Sequence, residues 1–276
     1  MDQTERLAWL IRALVSEDER YRGLGVPADP DEAFRLYRSL VNVRPPRPAN
    51  ERYLAVEDAY LQQRTHDRGV VDANGLFGDP GLAPGESGPL DVRMALWRGD
   101  ITTLRADAIV NAANSELIGC FVPCHGCIDN AIHTAAGVRL RLACADIVAR
   151  RGGTPEPTGG VQVTPGFNLP AAHVLHTVGP VVEGGRPTAR DRRLLASCYE
   201  SALELAARRG LRTVAFCCIS TGVFGYPPRD AAQVAVATVR EFLADHESMG
   251  VIFDVFSGSD YAIYQELLGR AGAAQA

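Results

Sequence analysis

Four potential metal ligands lie within eight residues of this sequence: Cys120, Cys124, His125 and Cys127. They belong to a proline- and glycine-containing segment, residues 119–127, which we name the cysteine loop. Zinc favours thiolate and imidazole ligands; three would leave a tetrahedral position open for catalysis, whereas four would make a closed structural site. Neighbouring side chains in an extended segment point in opposite directions, so Cys124 and His125 are not expected to reach one ion. We predict one Zn2+ per chain on Cys120, His125 and Cys127.

The cysteine content also bears on the cellular compartment. Seven cysteines are an odd number, and in a reducing compartment such clustering indicates metal binding or reactive thiols before disulfides. The N-terminus lacks the basic start and long apolar stretch of a secretory signal, so a cytoplasmic location is expected. A purely structural zinc, or no metal at all, are the alternatives to a catalytic zinc site.

A carboxylate follows the cysteine loop at the start of a predicted helix. Asp129 comes two residues after Cys127, and His133 lies one turn further along the same helix face. A carboxylate beside a zinc-bound group can orient or deprotonate water, or hold a ribose hydroxyl. Aspartate is also a common N-cap, and the two roles are compatible. His133 is more simply interpreted as a histidine packed beneath the loop than as a ligand.

Two further loops carry motifs that suit a polar ligand. Asn111 and Asn114 follow a predicted strand, and their carboxamides can bind a polyhydroxylated ligand such as a ribose, although asparagine is also common in turns. The segment 220–226 has two glycines and precedes a helix that opens at Pro228. Its backbone amides and the positive helix end can hold a diphosphate without a lysine. The alternative is that the two glycines only serve the tight turn between strand and helix.

The elements that position these loops follow from apolar periodicity. Residues 1–65 have helical spacing, with helix starts at Pro30 behind Asp29 and near Asn50. Residues 66–90 are rich in glycine and proline and are predicted to form a loop or linker. The following segment, 91–272, alternates apolar strands with helices, which predicts an α/β domain with a sheet covered on both faces.

Ligands of such three-layer domains bind beyond the carboxyl ends of the strands, where the three loops fall. The predicted strands of the α/β domain are 94–97, 108–110, 161–163, 173–178, 214–219 and 251–255. The predicted helices are 129–150, 190–209, 228–243 and 260–268.

The composition excludes several classes of function. All 28 basic residues are arginine, so lysine Schiff-base chemistry and P-loop nucleotide hydrolysis are ruled out. The net charge of -5 argues against binding nucleic acid through a general electrostatic field. No apolar run approaches the ~18 residues that a membrane span needs, so a membrane association is not expected.

Four motifs occur in a fixed order along the α/β region: Gly99-Asp100-Ile101-Thr102, Asn111-Ala112-Ala113-Asn114, Ile132-His133-Thr134-Ala135-Ala136-Gly137 and Ser220-Thr221-Gly222-Val223-Phe224-Gly225-Tyr226. Together they resemble the macrodomain, an ADP-ribose-binding module. In the hydrolase branch of that family a glycine run follows the paired asparagines; here residues 120–130 replace it. This replacement and the N-terminal helices resemble the zinc-dependent macrodomains of microbes. The resemblance implies a three-layer α/β/α fold with a mixed central sheet, preceded by a helical segment.

The resemblance also implies roles for individual residues. Asp100 and Ile101 would hold the adenine end of ADP-ribose, with Phe256 packed near it. Asn114 and the cysteine loop would face the distal ribose, and Asn111 would also bind the substrate. Asp129 and Asn114 are the implied catalytic residues. The diphosphate would be wrapped by Ser220, Thr221, Gly222, Val223, Phe224, Gly225 and Tyr226. Zinc on the cysteine loop would act as a Lewis acid at the distal ribose.

The activity implied by the resemblance is zinc-dependent removal of mono-ADP-ribose from Asp or Glu side chains of modified proteins. The implied partners are ADP-ribose, a mono-ADP-ribosylated protein and a sirtuin-type ADP-ribosyltransferase system. Two alternatives stay open: a non-catalytic ADP-ribose reader with a structural zinc, and a deacylase that acts on O-acyl-ADP-ribose.

Overall fold

The computed structural model describes residues 1–77 and 93–269. It begins with three helices: α1 (Gln3–Ser16), α2 (Pro30–Val43) and α3 (Glu51–Asp67). Each starts at a side chain that accepts a hydrogen bond from a first-turn amide, which satisfies backbone donors that the helix itself leaves unpaired. These N-caps are Asp2, Asp29 and Asn50.

The three N-terminal helices share an apolar core that extends into the rest of the chain. Leu10, Ile11 and Tyr37 are fully buried between the helices, and Val138 joins the same cluster from outside the N-terminal segment. Glu57 on α3 is also fully buried. Its carboxylate accepts hydrogen bonds from the hydroxyls of Tyr37 and Tyr53 at 2.8 and 3.1 Å and from the Val138 amide at 3.0 Å.

The predicted loop at residues 66–90 begins with a short structured stretch. Helix α3 ends at Asp67, and β1 (Val71–Asp72) pairs in parallel with β3 (Leu104–Arg105). Phe77 then packs against Gly250, where a Cβ atom would lie 2.7 Å from the phenylalanine ring. Residues 78–90 of the predicted loop lie outside the described residues.

A six-stranded mixed sheet forms the centre of the α/β domain. Its strands are β2 (Met94–Arg98), β4 (Ala108–Ala113), β5 (Val161–Pro165), β6 (His173–Val178), β7 (Thr213–Phe216) and β8 (Gly250–Val255). Their order is β2-β8-β7-β4-β6-β5, and every neighbouring pair is parallel except β5 and β6. The central strands are buried and apolar, as parallel strands covered on both faces require.

Five helices cover the sheet: α4 (Ile128–Ala136), α5 (Val138–Arg150), α6 (Ala189–Arg208), α7 (Pro228–Ala244) and α8 (Gly258–Leu267). Helices α4 and α5 contact each other, and α6, α7 and α8 pack in a row, so the two groups form the outer layers of a three-layer α/β/α domain. The predicted fold class, with a mixed sheet and preceding helices, is confirmed.

Several predicted elements have different bounds in the structure, and the strand expected at 108–110 continues to Ala113. The single helix expected at 129–150 is broken at Gly137, whose φ of +87° is a conformation that glycine adopts at little cost. The strand expected at 214–219 ends at Phe216, because the chain leaves the sheet and Cys217 and Cys218 line a cavity instead. Among the described residues, no helix is both long and apolar enough to cross a membrane.

Candidate active site

A cavity of about 770 Å³ opens at the carboxyl ends of the parallel strands. Segments that follow β2, β4, β6, β7 and β8 all contribute to its lining, together with the cysteine loop and the first turn of α4. The carboxyl ends of parallel strands meet at one edge of the sheet, so motifs that are far apart in sequence converge there. The size is within the range of cavities that bind small molecules and cofactors.

The structure brings the three predicted zinc ligands together. The ligand atoms of Cys120, His125 and Cys127 all lie within 4.8 Å of one another, and all three residues are half-buried beside the cavity. Cys120 Sγ and His125 Nδ1 are 3.8 Å apart. Ordinary zinc bond lengths at a tetrahedral angle place a sulfur and a nitrogen about 3.6 Å apart, so this donor set fits zinc.

Cys124 points away from the other three side chains. Its backbone has a φ of +53°, and its thiol donates to the Arg35 carbonyl on α2 at 3.4 Å. Cys124 does not belong to the group of converging ligand atoms. This geometry favours three protein ligands and an open fourth position, as expected for a catalytic zinc.

Burial shapes the chemistry of the ligand thiols. Burial and the neighbouring Cys120 raise the pKa of the Cys127 thiol to about 11, although the Asn130 amide that donates to it at 3.4 Å opposes this rise. A thiolate pair in this position therefore needs a compensating positive charge, which a coordinated divalent cation supplies.

Asp129 lies in the first turn of α4 and borders the cavity. Burial raises the pKa of this carboxyl to about 6, while a hydrogen bond from Asn111 Nδ2 at 2.7 Å opposes the rise. The group is consequently ionised at neutral pH and close to the pKa that suits a general base. Cys127 is the N-cap of α4, so the aspartate is not used for capping.

Asn111 lies beneath the cavity and does not form part of its lining. The strand β4 continues through this residue, which is fully buried and pairs in register with His176 of β6. Its Nδ2 donates to Asp129 and also lies 3.2 Å from His176 Nδ1. This placement does not match the expected contact with a ribose, because the strand directs the carboxamide to Asp129.

Two buried histidines, His133 and His176, lie beside the hydrogen-bonded pair Asn111 and Asp129. Burial lowers the pKa of His176 to about 3, so its ring is neutral, and Nε2 lies 2.9 Å from the Thr164 hydroxyl. Burial likewise lowers the pKa of His133, so its 3.5 Å approach to Asp129 is not an ion pair. Gly119 covers the His133 ring, since a Cβ atom there would lie 2.9 Å from Nδ1. His133 therefore packs beneath the cysteine loop.

Asn114 lies in the cavity lining just after β4. Its Nδ2 lies 3.4 Å from the Gly119 carbonyl, and its Oδ1 accepts from the Glu116 amide at 3.1 Å. The carboxamide thus connects the end of β4 to the beginning of the cysteine loop.

The predicted diphosphate loop forms one wall of the cavity. The lining includes Ser220, Thr221, Gly222, Val223 and Phe224. Ser220 has a φ of +66°, its hydroxyl is buried without a partner among the described residues, and a Cβ atom at Gly222 would meet no other atom. The open space above Gly222 and the unpartnered hydroxyl suit an anionic ligand that approaches the backbone closely.

The last two residues of this loop support its shape from behind. Gly225 and Tyr226 are not part of the lining. Gly225 has a φ of +71°, and a Cβ atom there would lie 2.8 Å from the Val182 carbonyl. Tyr226 is buried, and its amide donates to the Ser220 carbonyl at 3.0 Å. Their placement gives them a role in loop conformation and no direct route to a ligand.

The opposite end of the cavity contains Asp100, Ile101 and Phe256. Asp100 accepts from the Thr102 amide and hydroxyl at 2.9 and 2.6 Å and pairs with Arg68 of the segment after α3. Burial raises the pKa of Asp100, but these hydrogen bonds and the Arg68 charge prevail and hold it below its usual value. Phe256 is 87% exposed, which leaves its ring free to stack on a flat ligand.

Arg38 and Asp254 are among the lining residues that the sequence did not predict. Arg38 of α2 borders the cavity beside the cysteine loop, and Asp254 at the end of β8 borders it near Asp100. Arg38 has no signal in the sequence, because nothing places an N-terminal helix next to a loop about 90 residues later. Asp254 has a weak one, since it is an acidic residue within an otherwise apolar strand.

The fold and the site together define an α/β/α module that holds a ligand at the carboxyl edge of its sheet. A family model described as the Macro domain matches residues 110–235. A protein-ADP-ribose hydrolase of Treponema medium is 48% identical over 97% of this chain and 100% of its own length. A protein-ADP-ribose hydrolase of Staphylococcus aureus (strain MSSA476) is 43% identical over 96% of each chain.

A solved structure points to the same group. The Trypanosoma brucei macrodomain in complex with ADP-ribose is 33% identical and superimposes with a TM-score of 0.62, covering 84% of this chain and 95% of that one. The chain belongs to the macrodomain family, and the resemblance inferred from the sequence motifs is confirmed.

Proposed function

We propose that this macrodomain is a zinc-dependent protein-ADP-ribose hydrolase that removes mono-ADP-ribose from Asp or Glu side chains. Hydrolase activity is supported by relatives of that name at 43% and 48% identity that align over nearly the whole chain. The observation that carries the zinc dependence is the convergence of Cys120, His125 and Cys127 beside Asp129 at one end of the cavity.

Each wall of the cavity has a distinct part in holding ADP-ribose. Asp100, Ile101 and Phe256 border the adenine end, and residues 220–224 present backbone amides to the diphosphate. The distal ribose then lies between Asn114 and the cysteine loop. Because the chain has no lysine, backbone groups and arginine are its means of balancing the diphosphate charge.

Hydrolysis of the ester between the distal ribose and a carboxylate needs a positioned water and stabilisation of the departing carboxylate. Asp129 accepts the proton of the attacking water, and Asn111 keeps its carboxylate directed toward the cavity through the 2.7 Å hydrogen bond. Bound zinc supplies Lewis-acid polarisation at the ribose ester. Asn114 orients the ribose hydroxyls.

The proposed zinc site also bears on the linkage that the enzyme cleaves. A carboxylate leaving group suits a site with a cationic centre, which supports Asp or Glu linkages as substrates. The absence of a basic surface field fits capture of one small anionic group in a shaped cavity. We also propose a cytoplasmic setting, cooperation with a sirtuin-type ADP-ribosyltransferase, and a macrodomain spanning residues 91–272 after the N-terminal helices.

Incubation of the chain with a protein that carries radiolabelled mono-ADP-ribose on glutamate, with and without a chelator, tests the activity. We expect release of label that stops when zinc is removed and returns when zinc is added. A serine-linked substrate is the control for linkage and should retain its label. Retention of label on the glutamate-linked substrate would favour a reader, and turnover of O-acyl-ADP-ribose alone would favour a deacylase.

Two cysteines of the same loop provide a matched pair for the metal. We expect Cys120→Ala to lose bound zinc and turnover, because one of three ligands is removed. Cys124→Ala should keep one equivalent of zinc, since its thiol points to Arg35. Zinc content is measured by elemental analysis of the purified protein. Equal zinc loss in both variants would show that the ligand set is wrong.

A further inference from the structure

Helix α2 contacts the cysteine loop through the side chain of Arg38. Its Nε and Nη2 donate to Asn130 Oδ1 at 2.9 and 2.7 Å, and Nη2 also donates to the carbonyl of His125 at 2.7 Å. The guanidinium thus connects the main chain of a zinc ligand to the first turn of α4. A planar guanidinium can bridge two acceptors in a fixed geometry, which the single ammonium group of a lysine cannot do.

Asn42, one turn further along α2, contacts the loop at a second point. This residue is buried, and its Oδ1 accepts from the Cys124 amide at 2.9 Å. Its own carbonyl accepts from Arg141 Nη1 at 2.6 Å, and Nη2 of the same arginine donates to the Cys120 carbonyl at 3.2 Å. The chain on either side of His125 is therefore held by groups that belong to, or are anchored on, α2.

The backbone turn at Cys124 depends on these contacts with α2. A non-glycine residue with a φ of +53° is conformationally unfavourable and persists only where its surroundings impose it. Both the amide and the thiol of Cys124 bond to α2, to Asn42 Oδ1 and to the Arg35 carbonyl. This turn directs the His125 ring toward Cys120 and away from Cys124.

Contacts within the cysteine loop itself are fewer. The His125 amide donates to the Val122 carbonyl at 3.2 Å, and Asn130 Nδ2 donates to that same carbonyl at 3.0 Å. Asn130 is in turn the acceptor for Arg38. Removing Arg38 therefore takes the donor away from Asn130 Oδ1 and from the His125 carbonyl. Among the described residues, the main chain of His125 then keeps one hydrogen bond, from its amide to Val122.

We infer that Arg38 is a positioning residue of the zinc site, by which the N-terminal helices hold the cysteine loop in its ligand-ready conformation before the cation binds. The inference rests on the proposed function only in taking the loop as the zinc site. A loop that is already ordered loses less conformational entropy when the ion binds, so zinc is held more tightly and released more slowly. The N-terminal helices thereby contribute to the zinc site through the positioning of its loop.

Hydrogen exchange of the full-length chain, stripped of metal by a chelator, tests the inference without any need for turnover. Arg38→Ala should speed amide exchange at Cys124 and His125 about tenfold or more, because bonds to a charged donor are lost. Arg35→Ala is the matched control: it removes the same side chain one turn earlier on α2, where the arginine is exposed. Arg38→Lys keeps the positive charge but lacks the planar guanidinium with its several donors. It should show a smaller increase in the amide exchange rate.

Zinc release gives a second readout. With zinc restored, Arg38→Ala should release the ion to a colorimetric chelator about tenfold faster than Arg35→Ala. Equal exchange and equal release in the two alanine variants would overturn the inference. A comparable rise of exchange in β7 would also overturn it, because that result shows a global loss of stability. The exchange comparison decides the matter even if the hydrolase assay yields no product.

Discussion

Asp254 makes the stability of the fold dependent on pH. The carboxyl is 6% exposed at the end of β8, and its Oδ1 has no hydrogen-bond partner among the described residues. Burial, with a contribution from the negative charge of Asp100, raises the pKa of Asp254 from 3.8 to about 8. The neutral acid is thus the form that the fold prefers, while the unfolded chain ionises near the ordinary value.

The size of the effect follows from the two pKa values. A group with a raised pKa in the fold stabilises it at low pH, and this contribution is lost as pH rises from the unfolded toward the folded pKa. Between pH 6 and pH 9 the unfolded chain is already ionised, while folded Asp254 loses its proton only near pH 8. Integrating over that interval gives a loss of about 3 kcal/mol in the free energy of unfolding.

Urea unfolding of the wild type and Asp254→Asn at both pH values measures this loss. The isosteric amide cannot ionise, so the difference in unfolding free energy between the two proteins should shift by about 3 kcal/mol in favour of the variant. Asp245→Asn is the control, because Asp245 is an exposed aspartate. A difference that stays the same at both pH values would refute burial as the cause of the raised pKa.

Three further substitutions probe other parts of the structure. Asn111→Leu should lower kcat about tenfold or more with zinc content unchanged, because Asp129 loses a hydrogen bond to its carboxylate; unchanged kcat would contradict the positioning role. Gly137→Ala should lower the free energy of unfolding by about 2–4 kcal/mol, since it combines an unfavourable φ with a clash at Glu57; calorimetry measures the change. Phe256→Ala should weaken ADP-ribose binding about threefold to tenfold in a titration with no change in stability, because its ring is exposed and borders the proposed adenine end of the cavity.

Much of the fold followed from periodicity and capping residues. Helices at Pro30 and Asn50 and the alternation of apolar strands with helices were predictable, because each depends on residues close in sequence. The break at Gly137 was not, since a glycine within a helical pattern gives no sign of whether the chain turns there. The clash with Glu57 of α3 that forces glycine at this point arises only in the tertiary structure.

The candidate site was likewise only partly predictable from the sequence. The convergence of Cys120, His125 and Cys127 was predictable from their residue types and spacing, and the alternation of neighbouring side chains predicted that Cys124 points away from them. The orientation of Asn111 depended on how far β4 continues, which periodicity does not determine. Arg38 and Asp254 came into the cavity through packing between distant segments, and no local pattern reports that.

The contact between Glu57 and the Val138 amide extends the cooperativity of the fold across the N-terminal segment. No side chain from its own N-cap residue caps α5, so the carboxylate on α3 serves as its cap from another part of the chain. Truncation before residue 91 would uncover the apolar face around Val138 and expose the amide-bearing end of α5. The composition of the chain changes near residue 90, yet the N-terminal helices and the α/β domain stabilise each other through this contact. Heat should therefore unfold both parts in a single transition.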